Sequence, residues 1–439
     1  MSVKMLTESI YEYQSLNLER CGLKITMIDQ QEVVYQIQDF SFNKLKQVLI
    51  KRSLNFKLCQ KIFTGEFINI LEFSEEHYIS IASMYRQVRM LKKILKKYHL
   101  TLNLSQHPWL KGQEYHIRHF YFELYFAAYG LTEDYLEMTH WQVEEAEESW
   151  LEGPFPVRQK IKLLYYISRT RWSQTYYMLE MAYLKPDKLL ILDDNLKTFY
   201  VKQLMTVGAS KSQMASELNF FLIYILNVGV LDNDKLAKIN FYVSENSQEL
   251  NEKYHWGRQW ANLFSDFFEV ELSQEVRLFL YGNLYIYFIS KMFFPYTMVN
   301  YNDILVKYQK DNPFIWEKTL LFQAQLKEQY PHIIISDHLT HFFIRELIFL
   351  TSEELEICVF SSCSYSQNRI IGNEIKKRTT AQIKITRKIT ARTKLIVSDL
   401  DFDLARVNSS HKLERVFIQT IPSESDYQLI TKMILKLSQ

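Results

Sequence analysis

The tail of the chain contains "CSYSQNR", in which Cys363 and Arg369 stand at Cys-x5-Arg spacing. Loops of that kind direct a thiolate at phosphate while backbone N–H groups and the arginine hold its oxygens. Cys363 follows the strand-like "EICVFSS" and precedes a helical run, so loop N–H groups and a helix N-terminus favour its thiolate. Asp399, Asp401 and Asp403 in "VSDLDFDLA" offer an acid for the same chemistry. Wrapping an anion calls for glycine, however, and none lies between Cys363 and Arg369. The residue types therefore weigh toward an inert cysteine. A phosphocarrier or cysteine phosphatase is the alternative.

Other reactive side chains are scattered. Cys21, Cys59 and Cys358 form no CxxC pair and have no histidines at zinc-ligand spacing, so no metal, disulfide or other cofactor is expected. Unpaired thiols fit a reduced, cytoplasmic setting. His140 in "MTHWQVEEAEE" has glutamates beside it as charge partners. His255 in "YHWGRQW" and the pair His338 and His341 in "SDHLTHFF" lie among aromatics, where a histidine is usually structural.

The strongest chemical signal is cationic. From Ser80 to His99 the sequence holds six Lys or Arg and no Asp or Glu. On a helical wheel, Ile81, Met84, Val88, Leu91, Leu95 and Tyr98 gather on one stripe, the expected core face. Arg86, Arg89, Lys92, Lys93, Lys96 and Lys97 fall opposite, with Tyr85. Uncompensated cations four apart repel one another, so such a face calls for an outside anion. Ser80 is a good N-cap, "INILEFSEEHY" supplies a short helix before it, and "LTLNLSQHPWLKG" has the alternation and turn residues of a wing. A winged helix-turn-helix of this kind places Ser83, Tyr85 and Arg86 near base edges of duplex DNA, with Arg89 beside them. Lys92, Lys93 and Lys96 then face phosphates.

The elements that position these residues follow from bulk pattern. At 439 residues the chain calls for several domains, and 47% apolar residues supply ample core. Ten glycines and eight prolines are too few for a turn-dense β protein, so the fold is expected to be mainly helical. The net charge of +2 means that any affinity for nucleic acid comes from local segregation. The runs "FFLIYILNVGVL" and "LYIYFISKMFF" fall short of the roughly 18 apolar residues of a membrane span, and the N-terminus lacks a signal-peptide core, so no membrane association is expected. Alternating "LKITMI" and "VVYQIQ" predict a hairpin within residues 1–47. Residues 48–110 form the basic block, with helical units over 111–230 and 231–352. Strands interleaved with helices over 355–439 predict a small α/β domain with a mainly parallel sheet.

The stretch from "SFNKLKQVLIKRSLNFKLCQKIF" through "EFSEEHYISIASMYRQVRMLKKIL" to "LKGQEYHIRHFYFELYFAAYG" resembles the Mga/AtxA/RofA-like family of Gram-positive virulence regulators. Its most specific part is a Gly-x-Glu-x-x-Ile-Arg segment, matched by Gly112, Glu114, Ile117 and Arg118. The resemblance implies two winged-helix units, the first shortened here to residues 1–47. It further implies two all-helical PRD-like domains answering to the sugar phosphotransferase system and a C-terminal EIIB-like domain. It implies a homodimeric, DNA-binding regulator of virulence or surface genes that responds to carbohydrate status, with phosphotransferase proteins as further partners. His140, His255 and Cys363 are then the places to look for regulatory phosphorylation. Arg171 and Trp172 stand where a regulatory histidine of the first such domain is sought, and His77 replaces an apolar residue and is expected to be packed. A protein-binding regulator with impaired DNA binding is a further alternative.

Overall fold

The computed structural model describes residues 23–28, 32–37, 41–132, 155–179, 194–227, 248–294, 296–297, 305–306, 309–310, 313–351, 355–360, 362, 365–379, 381–386, 388–400 and 413–437. The chain divides into two compact units, residues 1–258 with 274–299, and residues 259–273 with 300–439.

The first unit begins with an antiparallel hairpin, β1 (Leu23–Ile28) against β2 (Glu32–Ile37), as the alternating pattern predicts. Four helices follow: α1 (Phe42–Arg52), α2 (Leu54–Thr64), α3 (Ile70–Glu76) and α4 (Ile81–Lys97). Each starts on a short polar side chain that accepts the N–H three residues on. Ser41 caps Lys44, Ser53 caps Phe56, Asn69 caps Glu72 and Ser80 caps Ser83. Such a cap satisfies one of the orphaned N–H groups of a first turn and is worth about 1 kcal/mol. Gly65 ends α2 at φ 82°, a conformation that glycine adopts without strain. The two-stranded wing pairs β3 (Thr101–Leu102) with β4 (Leu110–Lys111). Among the described residues, helices α5 (Glu114–Tyr129), α6 (Phe155–Ser173), α7 (Asp194–Thr206), α8 (Lys211–Asn227) and α10 (Gln274–Phe293), with the start of α9 (Gln248–Phe268), also belong to the unit.

One apolar core runs through it. Phe56 and Phe63 of α2, Met84 and Leu91 of α4, Tyr121 and Tyr125 of α5, Leu164 of α6 and Phe221 of α8 are all buried in the same cluster. The ring of Phe63 lies 4.5 Å from Tyr121 and 5.3 Å from Tyr125. The Tyr121 hydroxyl donates to the Cys59 carbonyl at 3.1 Å, which lets a polar tip enter the core without an orphaned proton. The winged-helix segment and the helices after it thus share a hydrophobic interior.

In the second unit, α11 (Pro313–Gln329) and α12 (Asp337–Thr351) pack together, with Trp260 of α9 5.1 Å from Phe322 and 5.8 Å from Phe343. The tail is a four-stranded parallel sheet of β5 (Leu355–Val359), β6 (Ile383–Thr386), β7 (Thr393–Ser398) and β8 (Glu414–Phe417), in the order β6-β5-β7-β8. Helix α13 (Tyr365–Arg378) follows β5, and α14 (Glu424–Leu437) ends the domain. Ile371 and Ile375 of α13 and Ile430 and Ile434 of α14 bury against Ile357, Leu395 and Val397. Every residue of β5 is buried, as a parallel strand covered on both faces requires. The molecule is mainly helical with a small sheet, as composition and periodicity imply.

Candidate nucleic-acid interface

Helices α3 and α4 are joined by His77, Tyr78, Ile79 and Ser80, the short connection of a helix-turn-helix. Along α4, Met84, Val88, Leu91 and Leu95 are buried, and Tyr98 follows them inside. Ile81 departs from the expected core stripe, being 42% exposed. It stands in the first turn, and helical side chains lean toward the N-terminus, so it projects past the part of α4 that its neighbours cover.

The opposite face lies open. Tyr85, Arg86, Arg89, Lys92, Lys93, Lys96 and Lys97 are all exposed. Among the described residues, Arg89, Lys92, Lys93 and Lys96 make no ion pair. Arg86 donates from Nη2 to the Ser83 hydroxyl at 2.9 Å, and Ser80 donates to the same oxygen at 3.0 Å. Ser83, Arg86 and the N-cap thus form one connected group at the start of the helix. Lys97 is turned away from this group, with Nζ 5.0 Å above the Tyr296 ring.

Two residues of the turn show how it is held. His77 packs edge-on against Phe73 with ring centroids 4.5 Å apart, and burial, then the nearby Lys57 charge, push its pKa down. It is the packed histidine anticipated from sequence. Tyr78 has φ 52° and is 97% exposed, so it bears the strain of a left-handed residue without burying its ring. Tyr78→Gly is expected to stabilise the protein by roughly 0.5–1 kcal/mol, read from the urea midpoint. A lowered midpoint would show instead that the ring packs.

The Gly112, Glu114, Ile117, Arg118 segment has a structural meaning that its sequence does not disclose. A Cβ on Gly112 would sit 2.5 Å from Leu100 Cδ2 and 3.1 Å from the His99 carbonyl, so glycine lets the chain leaving β4 pass close to the chain entering β3. Arg118 is fully buried and reaches Glu217 of α8 through Nη1 at 2.6 Å and Nη2 at 2.8 Å, Glu114 through Nε at 3.0 Å, and the Tyr176 carbonyl at 3.1 Å. Burial alone would push protons off its guanidinium, but the Glu217 and Glu114 charges outweigh this and hold its pKa above the ordinary arginine value. Arg171 grips Glu114 with two contacts of 2.8 Å while lying 4.0 Å over the Tyr176 ring. Two glutamates and two arginines thus fasten the helix after the wing to α6 and α8. Arg171 and Trp172 have structural roles: Arg171 serves this network and Trp172 is 1% exposed.

The remaining candidates are dispersed. His255 is exposed on α9, whereas His341 is buried, 3.1 Å from the Thr319 hydroxyl, and burial pushes its pKa down to about 4. His140, Cys21, Cys363, Asp401 and Asp403 lie outside the described residues. Just after β7, Asp399 accepts from the N–H of Ser362, which lies past β5, at 2.7 Å and from its hydroxyl at 2.6 Å. Arg369 is exposed on α13. Burial raises the thiols of Cys59, to about 12, and Cys358, to about 11, so neither is a nucleophile at neutral pH. Among the described residues no cluster suits a metal ion, and no helix is long and apolar enough to cross a membrane.

Comparison with known proteins bears on this same segment. Residues 38–125 match the Mga helix-turn-helix domain. Over 91 residues the chain is 31% identical to the capsule synthesis positive regulator AcpB of Bacillus anthracis, a stretch covering 21% of this chain and 19% of that protein. The chain is thus aligned with about a fifth of that regulator's length. The matched residues include α1 to α4, the wing, Glu114 and Arg118. Both findings support the Mga resemblance over this segment.

Proposed function

We propose, from the premise that residues 38–125 match the Mga helix-turn-helix domain, that this chain is a DNA-binding transcriptional regulator of the Mga/RofA-like type. The observation that carries this reading is the open cationic face of α4, where Arg89, Lys92, Lys93 and Lys96 have no carboxylate partner among the described residues. The phosphates of a duplex supply the missing anions. Ser83, Tyr85 and Arg86 at the N-terminal end of the helix read base edges, and Lys92, Lys93 and Lys96 hold phosphates.

The rest of the reading extends from the family. Residues 1–47 are a reduced first winged helix, 48–110 the DNA-binding unit, 111–230 and 231–352 two PRD-like domains, and 355–439 an EIIB-like domain. The regulator works in the cytoplasm as a homodimer and controls virulence or surface genes according to carbohydrate status. Phosphotransferase proteins act on it through His140, His255 or Cys363.

Fluorescence anisotropy with a labelled duplex at several salt concentrations tests the core of the proposal. Combining Arg86→Ala with Arg89→Ala should remove most of the affinity and relax sequence preference, at about 1–3 kcal/mol per lost base contact. Unchanged affinity in that variant would mean that α4 is not the recognition helix.

A further inference from the structure

We propose that the cleft between the wing and the end of α6 binds an uncharged, flat, two-ring molecule, and that its occupancy is transmitted to DNA binding through the wing. The second half rests on the regulator reading, and the first does not. The cleft has a volume of about 290 Å³ and is walled by Ile62 and Phe67, by His107 and Trp109 of the wing loop, and by Gln174 and Tyr176 after α6.

Its chemistry follows from these walls. Trp109 stands edge-on to Phe67 at 5.2 Å and to His107 at 5.8 Å, so rings converge from two directions. Aromatic walls of this kind favour a flat ring that stacks or meets them edge-on. An apolar cavity of about 150 Å³ admits one benzene ring, so this volume suits two fused rings. Charge narrows the class further. The Arg171 guanidinium in the wall is paired through Nε and Nη2 with both Glu114 oxygens, stacked on Tyr176, and has Nη1 3.4 Å from Gln174 Oε1, so a carboxylate already answers its charge. The Gln174 amide is committed to the Phe63 carbonyl at 2.7 Å. The Tyr176 hydroxyl, only loosely held 3.4 Å from His107 Nε2, remains to orient one polar atom of a neutral ligand.

The place matters as much as the chemistry. The walls come from four separate stretches of chain, and Trp109 belongs to the wing, its carbonyl taking the Asn103 N–H at 2.8 Å. A ligand wedged between Trp109 and Tyr176 restrains the wing relative to the regulatory helices. By linkage, the factor by which it changes duplex affinity equals the factor by which duplex changes its own.

Calorimetric titration of the full chain with indole, a neutral two-ring probe, tests the site without DNA. Saturable one-to-one binding is expected, weakened at least about tenfold by Trp109→Ala and by the cavity-filling Ile62→Phe. Thermal melts of both variants confirm folding. Indole-3-acetate, which adds a carboxylate, should bind at least about tenfold more weakly than indole, for want of a free cation. Unsaturable uptake, or affinity unchanged in both folded variants, overturns the site, and equal affinity for the acetate overturns the neutral class. Repeating the titration on the DNA complex should shift the indole affinity. An identical value with and without duplex overturns the coupling alone, and a chain that binds no duplex leaves the first titration fully readable.

Discussion

Arg118→Met is expected to cost about 3–5 kcal/mol of folding stability, a large part of the total for a typical protein. The side chain is wholly buried and fixes Glu217 through two nitrogens while touching Glu114 and the Tyr176 carbonyl. Methionine fills much of the volume but leaves the Glu217 charge uncompensated, still accepting from the Met178 N–H at 2.9 Å. A stranded buried charge is far more costly than the pair is beneficial, because the desolvation penalty stays after the attraction has gone. The double variant Arg118→Met with Glu217→Leu should therefore recover most of the loss. Urea unfolding of the two single variants and the double variant measures the coupling directly. If Arg118→Met alone costs under about 1 kcal/mol, the network is solvated in solution and does not clamp α5 to α8.

What the sequence discloses here is what short-range physics determines. The stripe of Met84, Val88, Leu91 and Leu95, the Ser80 cap, the wing and the four tail strands all depend on residues within a few positions of one another. Periodicity and capping therefore locate them. Ile81 escapes the same logic because exposure at a helix end depends on where the neighbouring helices stop. The ion network was beyond reach, since Arg118 and Glu217 lie 99 residues apart and nothing local marks them as partners. Arg171 shows the cost of comparing positions without contacts. It stands where a regulatory histidine is sought, yet its guanidinium is bound to Glu114 of the motif that carries the resemblance. The shared core of the winged helix and the following helices is likewise a long-range property, invisible in linkers and composition.

Replacing Lys92, Lys93 and Lys96 together by Gln is expected to separate binding from stability. Each lysine is exposed and carries a charge that no described carboxylate answers. If all three meet phosphates, the variant's log K against log salt should flatten by about 2.7, and its affinity should fall for random and specific duplexes alike. The fold should respond in the opposite sense. Lys92 and Lys96 are four apart, as are Arg89 with Lys93 and Lys93 with Lys97, and each like-charge pair removed relieves roughly 0.2–0.5 kcal/mol of repulsion within α4. The variant should melt at or above the temperature of the parent while binding DNA far more weakly. That opposition of signs belongs to a surface kept charged for an external anion. Were the lysines only a solvated flank, the same substitutions would raise the melting temperature and leave duplex affinity and its salt slope unmoved.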